Sequence, residues 1–407
     1  MSSPVTAQLI DSVRTEVADQ TVSGPADSPL GLAERLQEAV RRRSGGLGAA
    51  ETLSLLREVE AELTGTGPLA TVLADPEVTD VLVNAPAAVW VDRGEGLQRA
   101  DVAFGSEAEV RRLAVRLAGL ADRRLDVAAP YVDARLPAGI RLHAVLPPIA
   151  VGGTCLSLRV HRGHLRDLAY LRGRGALPPE LADVLRALID ARVAFLISGG
   201  AGTGKTTLLG ALLGQVAGDE RLVVVEDAAE LVAEHPHLVR LEARPANVEG
   251  AGEVTLRDLV RQALRMRPDR LIVGEVRGPE LLDLLLAANT GHDGGLTTLH
   301  ANGVADVPAR VEALAMLAGV TRPAAHALLA SAFRVAVQLR RSRDGQRCVA
   351  EVALLEAESS GLVATRPVLS WAGPGAALVR GPGAEALAEL LRTRGAAAPA
   401  VLSGALP

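Results

Sequence analysis

The chain has 407 residues, a formal net charge of −5, and a composition that is 48% apolar but only 2% aromatic. That length predicts two domains, the charge offers no electrostatic case for nucleic-acid binding, and the aromatic shortage leaves the cores to Leu, Val and Ala. No apolar run reaches the roughly 18 residues a membrane span needs, and the opening residues show neither the basic flank nor the apolar core of a secretory signal.

Residues 1–30, rich in Ser, Pro, Asp and Thr, are expected to form a flexible tail. Helical spacing over Leu32–Val40 and Ala49–Leu63 opens a smaller α+β domain, expected over 31–172. Its strands are predicted at Asp80–Asn84, Ala88–Asp92, Leu142–Leu146 and Thr154–Val160, with a helix over Glu107–Leu120. Cys155 and Cys348 lie in strand-like segments without a C-x-x-C partner, which predicts reduced, buried thiols in a cytoplasmic protein. Gly173-Arg174-Gly175-Ala176-Leu177-Pro178-Pro179 reads as a linker, 173–180.

An α/β domain is expected over 181–372. Its strands are predicted at Ala194–Ser198, Arg221–Val225, Val239–Leu241, Arg270–Gly274 and Gly295–Leu299. Intervening helices imply a mostly parallel sheet. Helices over Val307–Ala318 and Arg322–Ala332 precede closing strands at Phe333–Leu339, Arg347–Leu354 and Leu362–Leu369. The Ala/Gly/Pro-rich segment 373–407 is expected to be mostly disordered, with one short amphipathic helix at Ala384–Thr393.

Lys205 is the only lysine; every other residue counted as Lys or Arg is arginine. It falls in Gly199-Gly200-Ala201-Gly202-Thr203-Gly204-Lys205-Thr206, which matches the phosphate-loop pattern G-x-x-x-x-G-K-[ST] between a predicted strand and a predicted helix. A compact ammonium enters a ring of backbone amides where a planar guanidinium does not fit. Residues Gly199 to Thr207 are therefore read as binding nucleotide phosphates, with the Thr206 hydroxyl as a ligand for Mg²⁺.

Two further strands end in acids. Leu222-Val223-Val224-Val225-Glu226-Asp227 offers Glu226 as a water-polarising base and Asp227 as a metal ligand. Arg270-Leu271-Ile272-Val273-Gly274-Glu275 offers Glu275 for magnesium, and the glycine before it admits a close approach. The two glutamate roles could be exchanged, since both lie at strand ends. The segment Thr290–Asn302 holds His292 and His300, two of the eight histidines. An imidazole at a strand end can bond a γ-phosphate, although an isolated histidine is by default structural. Arg257, Arg261 and Arg265 share a helix face, and Arg240, Arg244, Arg265, Arg267, Arg270 and Arg277 are candidates to reach nucleotide across a subunit boundary.

Together these motifs resemble the traffic ATPases of type II and type IV secretion and pilus assembly, closest to the tight-adherence (Tad) and conjugal-transfer-associated branch. Gly199–Thr207 matches the family's phosphate loop, Val225–Leu231 its acidic box, Leu271–Gly278 its second nucleotide motif with Glu for the usual Asp, and Thr290–Asn302 its histidine box. Arg159 lies where family members carry an arginine on the strand leading to the linker. The resemblance implies a RecA-like P-loop ATPase domain and a homohexameric ring with nucleotide between the two domains. It also implies docking on an inner-membrane platform protein and a cytoplasmic location, peripheral at the inner face of the membrane. A DNA-translocating conjugation motor is the alternative; the net negative charge and few aromatics oppose it. A nucleotide-dependent scaffold and a small-molecule kinase are further alternatives, opposed by the intact glutamates and by the histidine box.

Overall fold

In the computed structural model, residues 66–94, 96–136, 139–160, 166–246, 250–289, 293–342 and 345–404 are described. The expected tail at 1–30, the helices expected at Leu32–Val40 and Ala49–Leu63, and His292 lie outside them. Contacts divide the chain into two units, Met1–Arg162 and Gly163–Pro407.

In the first unit, helix α1 (Ala70–Ala74) precedes strands β1 (Asp80–Ala85), β2 (Ala88–Asp92) and β3 (Leu97–Arg99). Helix α2 (Glu107–Leu120) and strands β4 (Tyr131–Arg135), β5 (Ile140–Val145) and β6 (Cys155–Val160) follow. The strands form a sheet in the order β3-β2-β1-β6-β5-β4, antiparallel at every pair. One face is apolar, as the alternation of Val81, Val83, Val89 and Val91 dictates, and it shares a core with Val110, Leu113 and Leu117 of α2. Ser106 caps α2, its hydroxyl accepting the Glu109 N–H at 3.3 Å. The sequence reading missed β3, all three residues of which are exposed, and β4, whose Tyr131, Asp133 and Arg135 face solvent.

The second unit opens with helices α3 (Leu168–Gly173) and α4 (Pro179–Asp190), strand β7 (Phe195–Gly199), helix α5 (Lys205–Leu213), and strands β8 (Leu222–Glu226) and β9 (Leu238–Glu242). Then come α6 (Leu256–Ala263), β10 (Arg270–Val276), α7 (Glu280–Ala288), β11 (Leu296–Leu299), α8 (Val307–Leu317) and α9 (Arg322–Ala332). Strands β12 (Val335–Arg341), β13 (Arg347–Ala357), β14 (Val363–Trp371) and β15 (Leu378–Arg380) lead to α10 (Ala384–Thr393). The sheet order is β15-β14-β13-β12-β7-β11-β10-β8-β9. From β12 to β9 every pair is parallel; from β12 to β15 every pair is antiparallel. Alternate residues serve opposite faces: Phe195 and Ile197 pack in one core with α4 and α5, and Leu196 packs in the other with α7 and α9.

Two domain expectations need correction. The break falls after Arg162, not near 172, and the expected linker is packed structure. Leu168 and Leu177 are each 2% exposed in the core that contains Leu181, and the Ala176 carbonyl accepts the Val349 N–H at 2.8 Å. Its Gly and Pro residues mark a turn and a helix start, with Pro179 in the first helical turn. The segment beyond 372, expected to be mostly disordered, is ordered through residue 404. It adds β15 to the sheet and seats Leu387, Leu391, Val401 and Leu402 in the core beside Val368 and Trp371. Low-complexity composition hid these anchors among Ala and Gly.

Because Leu387 is fully buried, Leu387→Ala should lower the unfolding free energy by about 2–5 kcal/mol. Val379→Ala, at an exposed position of β15, should change it by no more than about 0.5 kcal/mol. Equilibrium denaturation of the two variants beside wild type checks both.

Candidate functional site

Parallel strands deliver their carboxyl ends to one edge of the sheet, and this edge gathers most of the candidate residues. At the end of β7 the chain turns through Gly199, Gly202 and Gly204, all at positive φ. A Cβ on Gly199 would lie 2.7 Å from the Thr203 hydroxyl and 2.8 Å from the Leu339 carbonyl, so only glycine fits there. Gly204 is left-handed and starts α5, aiming the free N–H groups of the helix at the loop. Lys205, 7% exposed, donates from Nζ to the carbonyls of Gly199 (3.1 Å) and Gly200 (2.9 Å). Burial lowers its pKa; Glu275 opposes that fall and Arg277 adds to it.

β11 lies beside β7 and carries His300 just past its end. Nδ1 of His300 is 3.4 Å from Lys205 Nζ. An ammonium only donates, so Nδ1 accepts and the ring proton sits on Nε2. Nε2 lies 2.6 Å from Oε1 of Glu275, without the alignment of a hydrogen bond. Burial lowers the His300 pKa, the Lys205 charge lowers it further, and Glu275 partly restores it. Together these effects favour the neutral imidazole.

Glu275 is the penultimate residue of β10, next to β11. Its Oε2 accepts from Arg277 Nη2 at 2.6 Å. Burial pushes its carboxyl upward, but the Arg277 hydrogen bond and the charges of Arg277, His300 and Lys205 outweigh this and hold it below its ordinary value. Thr298 of β11 donates its hydroxyl to the Gly274 carbonyl at 2.7 Å, fastening the two strand ends together.

Glu226, 5% exposed, ends β8. β11 and β10 stand between its strand and the phosphate-loop strand β7. The close approach expected at Gly274 is made by Glu226, since a Cβ there would lie 2.8 Å from Glu226 Cγ. Oε1 accepts the N–H groups of Glu230 (3.0 Å) and Leu231 (2.7 Å), and Oε2 meets Arg240 Nη2 at 3.2 Å. Burial raises its pKa; the Leu231 N–H and Arg240 oppose it without cancelling it.

The remaining candidates divide. Arg240, on β9, is drawn in through Glu226, and the exposed Asp227 acts electrostatically on Arg277. Thr206 and Thr207 occupy the first turn of α5, half-buried. Arg244 instead donates to the Gly252 carbonyl at 2.8 Å within a local bridge to Val254. Arg159 lies on β6 of the first unit, 3.4 Å from Asp80. Arg270 is excluded from nucleotide contact: it starts β10, at the opposite edge, and is 1% exposed. It grips Glu220 bidentately at 2.8 and 3.0 Å and the Ile189 carbonyl at 2.9 Å. Arg257 and Arg261 both bind Asp283 of α7, at 2.7 and 2.9 Å. The sequence reading missed Thr298 and Glu280. Glu280, the first residue of α7, accepts the N–H groups of Arg277 and Gly278 at 2.6 and 2.7 Å; an acid at a helix start is its legible signal.

Among the described residues, no group of three or more His, Cys, Asp or Glu forms a metal cage. Magnesium at a phosphate site needs only one or two protein oxygens, the phosphates supplying others. Glu275 Oε1, buried and without an aligned donor, fits that requirement.

Among the described residues, no helix is long and apolar enough to cross a membrane. The chain is 56% identical over 315 residues to two Mycobacterium tuberculosis proteins, from strains CDC 1551 and H37Rv, named provisionally as conjugal transfer proteins; the match covers 76% of this chain and 90% of theirs. It is 33% identical over 293 residues to the conjugal transfer protein TrbB of Rhizobium radiobacter, covering 71% of this chain and 87% of that one. The pilus retraction motor PilT with bound ADP superposes with a TM-score of 0.51 at 18% identity, over 72% of this chain and 83% of its own, a likeness of fold. The fold is accordingly the RecA-like α/β type preceded by a smaller sheet domain. The type II/IV secretion system protein model matches residues 62–367, and the chain belongs to that family.

Proposed function

We propose that this protein hydrolyses ATP and, as a homohexamer docked on an inner-membrane platform, powers pilus assembly or protein secretion. One observation carries the enzymatic part: Lys205, His300 and Glu275 form a continuous chain of contacts, 3.4 and 2.6 Å long, at the mouth of a glycine loop that opens a helix. The family match supports the motor part. The loop N–H groups and Lys205 bind the phosphates. Thr206 and Glu275, with Asp227 near, would hold Mg²⁺, which supplies charge neutralisation at the phosphates when bound. His300 donates one hydrogen bond to an oxygen of the γ-phosphate. Glu226 takes the proton of the attacking water. Arg277 favours the ionised form of Glu275, Arg240 limits the upward shift of Glu226, and the roles of Arg159 and Arg244 at the nucleotide depend on the assembled ring. The names of the relatives favour a second reading, a DNA-translocating conjugation motor; stimulation of turnover by single-stranded DNA rather than by a membrane platform protein would select it.

Lys205→Ala should abolish phosphate release and weaken ATP binding, and Lys205→Arg should fail as well because a guanidinium does not fit the loop. Wild-type turnover in either variant refutes the site. His300→Ala should weaken ATP binding by about 1 kcal/mol, the worth of one hydrogen bond, while turnover falls much further; the comparison is between a nucleotide titration and steady-state kinetics.

The raised pKa of Glu226 makes a pH prediction. A base must be deprotonated, and a raised pKa means that protonation begins at a higher pH as the solution is acidified. The acid limb of kcat should therefore lie above the ordinary carboxylate range, and Glu226→Gln should leave a low, flat profile. A limb of unchanged position in Glu226→Gln assigns it to another group.

A further inference from the structure

Beneath the phosphate end of this site lies a buried polar pair that no motif marks. Gln338 is 6% exposed on β12, among the fully buried Val335, Ala336 and Val337. The parallel pairing of β12 with β7 sets Gln338 opposite Ser198 and Leu339 opposite Gly199, the first residue of the phosphate loop. Ser198, 0% exposed, donates its hydroxyl to Gln338 Oε1 at 2.6 Å. Gln338 Nε2 donates to the carbonyls of Ala301 (3.3 Å), Asn302 (3.3 Å) and Leu339 (3.2 Å). Carbonyls only accept, so these partners fix which end of the amide is nitrogen.

Ala301 and Asn302 are the two residues after His300, and the ladder between β11 and β7 stops at Leu299. The histidine segment therefore leaves the sheet where the site begins, and the amide takes up its carbonyls. An amide in a parallel-sheet core is unfavourable unless its atoms are partnered. Here both ends are, and the partners are the base of the phosphate loop and the segment that carries the imidazole. On the other flank, Thr298 ties β11 to Gly274, next to Glu275.

We infer that Gln338, with Ser198, is a positioning residue that holds His300 against Lys205 and Glu275. Its effect on rate rests on the nucleotide reading above; its effect on geometry does not. Gln338→Met keeps the length of the side chain and removes its hydrogen bonds, and Ser198→Ala removes the other half of the pair. Both are measured in the full chain beside wild type. In Gln338→Met, amide hydrogen exchange without nucleotide should accelerate over 300–303 while that of the remote α10 stays unchanged. The dissociation constant of a fluorescent ATP analogue should change little, and kcat should fall roughly 100-fold, the scale of a misplaced reacting group. Ser198→Ala should move the same readouts in the same direction by less. Unchanged exchange over 300–303 overturns the inference. So does exchange that rises throughout, α10 included, or affinity and kcat that fall equally, because each describes a generally loosened protein. A wild type that does not turn over ATP refutes the nucleotide reading, and the exchange measurement still decides whether the clamp exists.

Discussion

A buried ammonium is the constraint around which this site is arranged. Lys205 loses hydration at the start of α5, and burial alone favours its neutral form. The compensating groups all come from other segments: the carbonyls of Gly199 and Gly200, the Glu275 charge, and an imidazole nitrogen able to accept. Each must arrive at the carboxyl edge of its own strand. The parallel order β7-β11-β10 meets that demand by putting the loop, His300 and Glu275 on adjacent strand ends. The two buried cores, one on each face, keep those strands in place.

What the sequence made legible follows from how much of each signal is local. Ala88–Asp92 and Glu107–Leu120 match their predicted bounds because alternation and a capped amphipathic turn are written within a few residues. The phosphate loop is equally local, as glycines at fixed spacing before one lysine. Lateral strand order is not local. Nothing within 222–226 says that two strands separate β8 from β7. Arg270 illustrates the same limit: a basic residue at the start of a buried strand looks available until Glu220, fifty positions earlier, is found gripping it. The ordered segment beyond 372 escaped because four apolar anchors were diluted by Ala, Gly and Pro.

The arginines divide by edge rather than by sequence neighbourhood. At the carboxyl edge Arg240 and Arg277 each touch a glutamate of the site, and at the opposite edge Arg192 and Arg270 share Glu220. In that second cluster burial pushes the Glu220 carboxyl up, yet the two guanidiniums outweigh it and lower its pKa, which marks a carboxylate kept ionised in the fold. The same pairing of residue types lines the candidate site at one end of the sheet and anchors the fold at the other.

Gly274 has a consequence for how kinetic data from this site must be partitioned. The side chain of Glu226 lies so close to its backbone that a Cβ would stand 2.8 Å from Cγ, and Glu275 is the next residue along. A shift in one acid therefore displaces the peptide that carries the other. Free-energy changes at contacting residues do not sum, so rate losses measured separately at Glu226 and Glu275 will not add to that of the pair. Only a complete double-mutant cycle, anchored at Gly274, can assign the coupling between them.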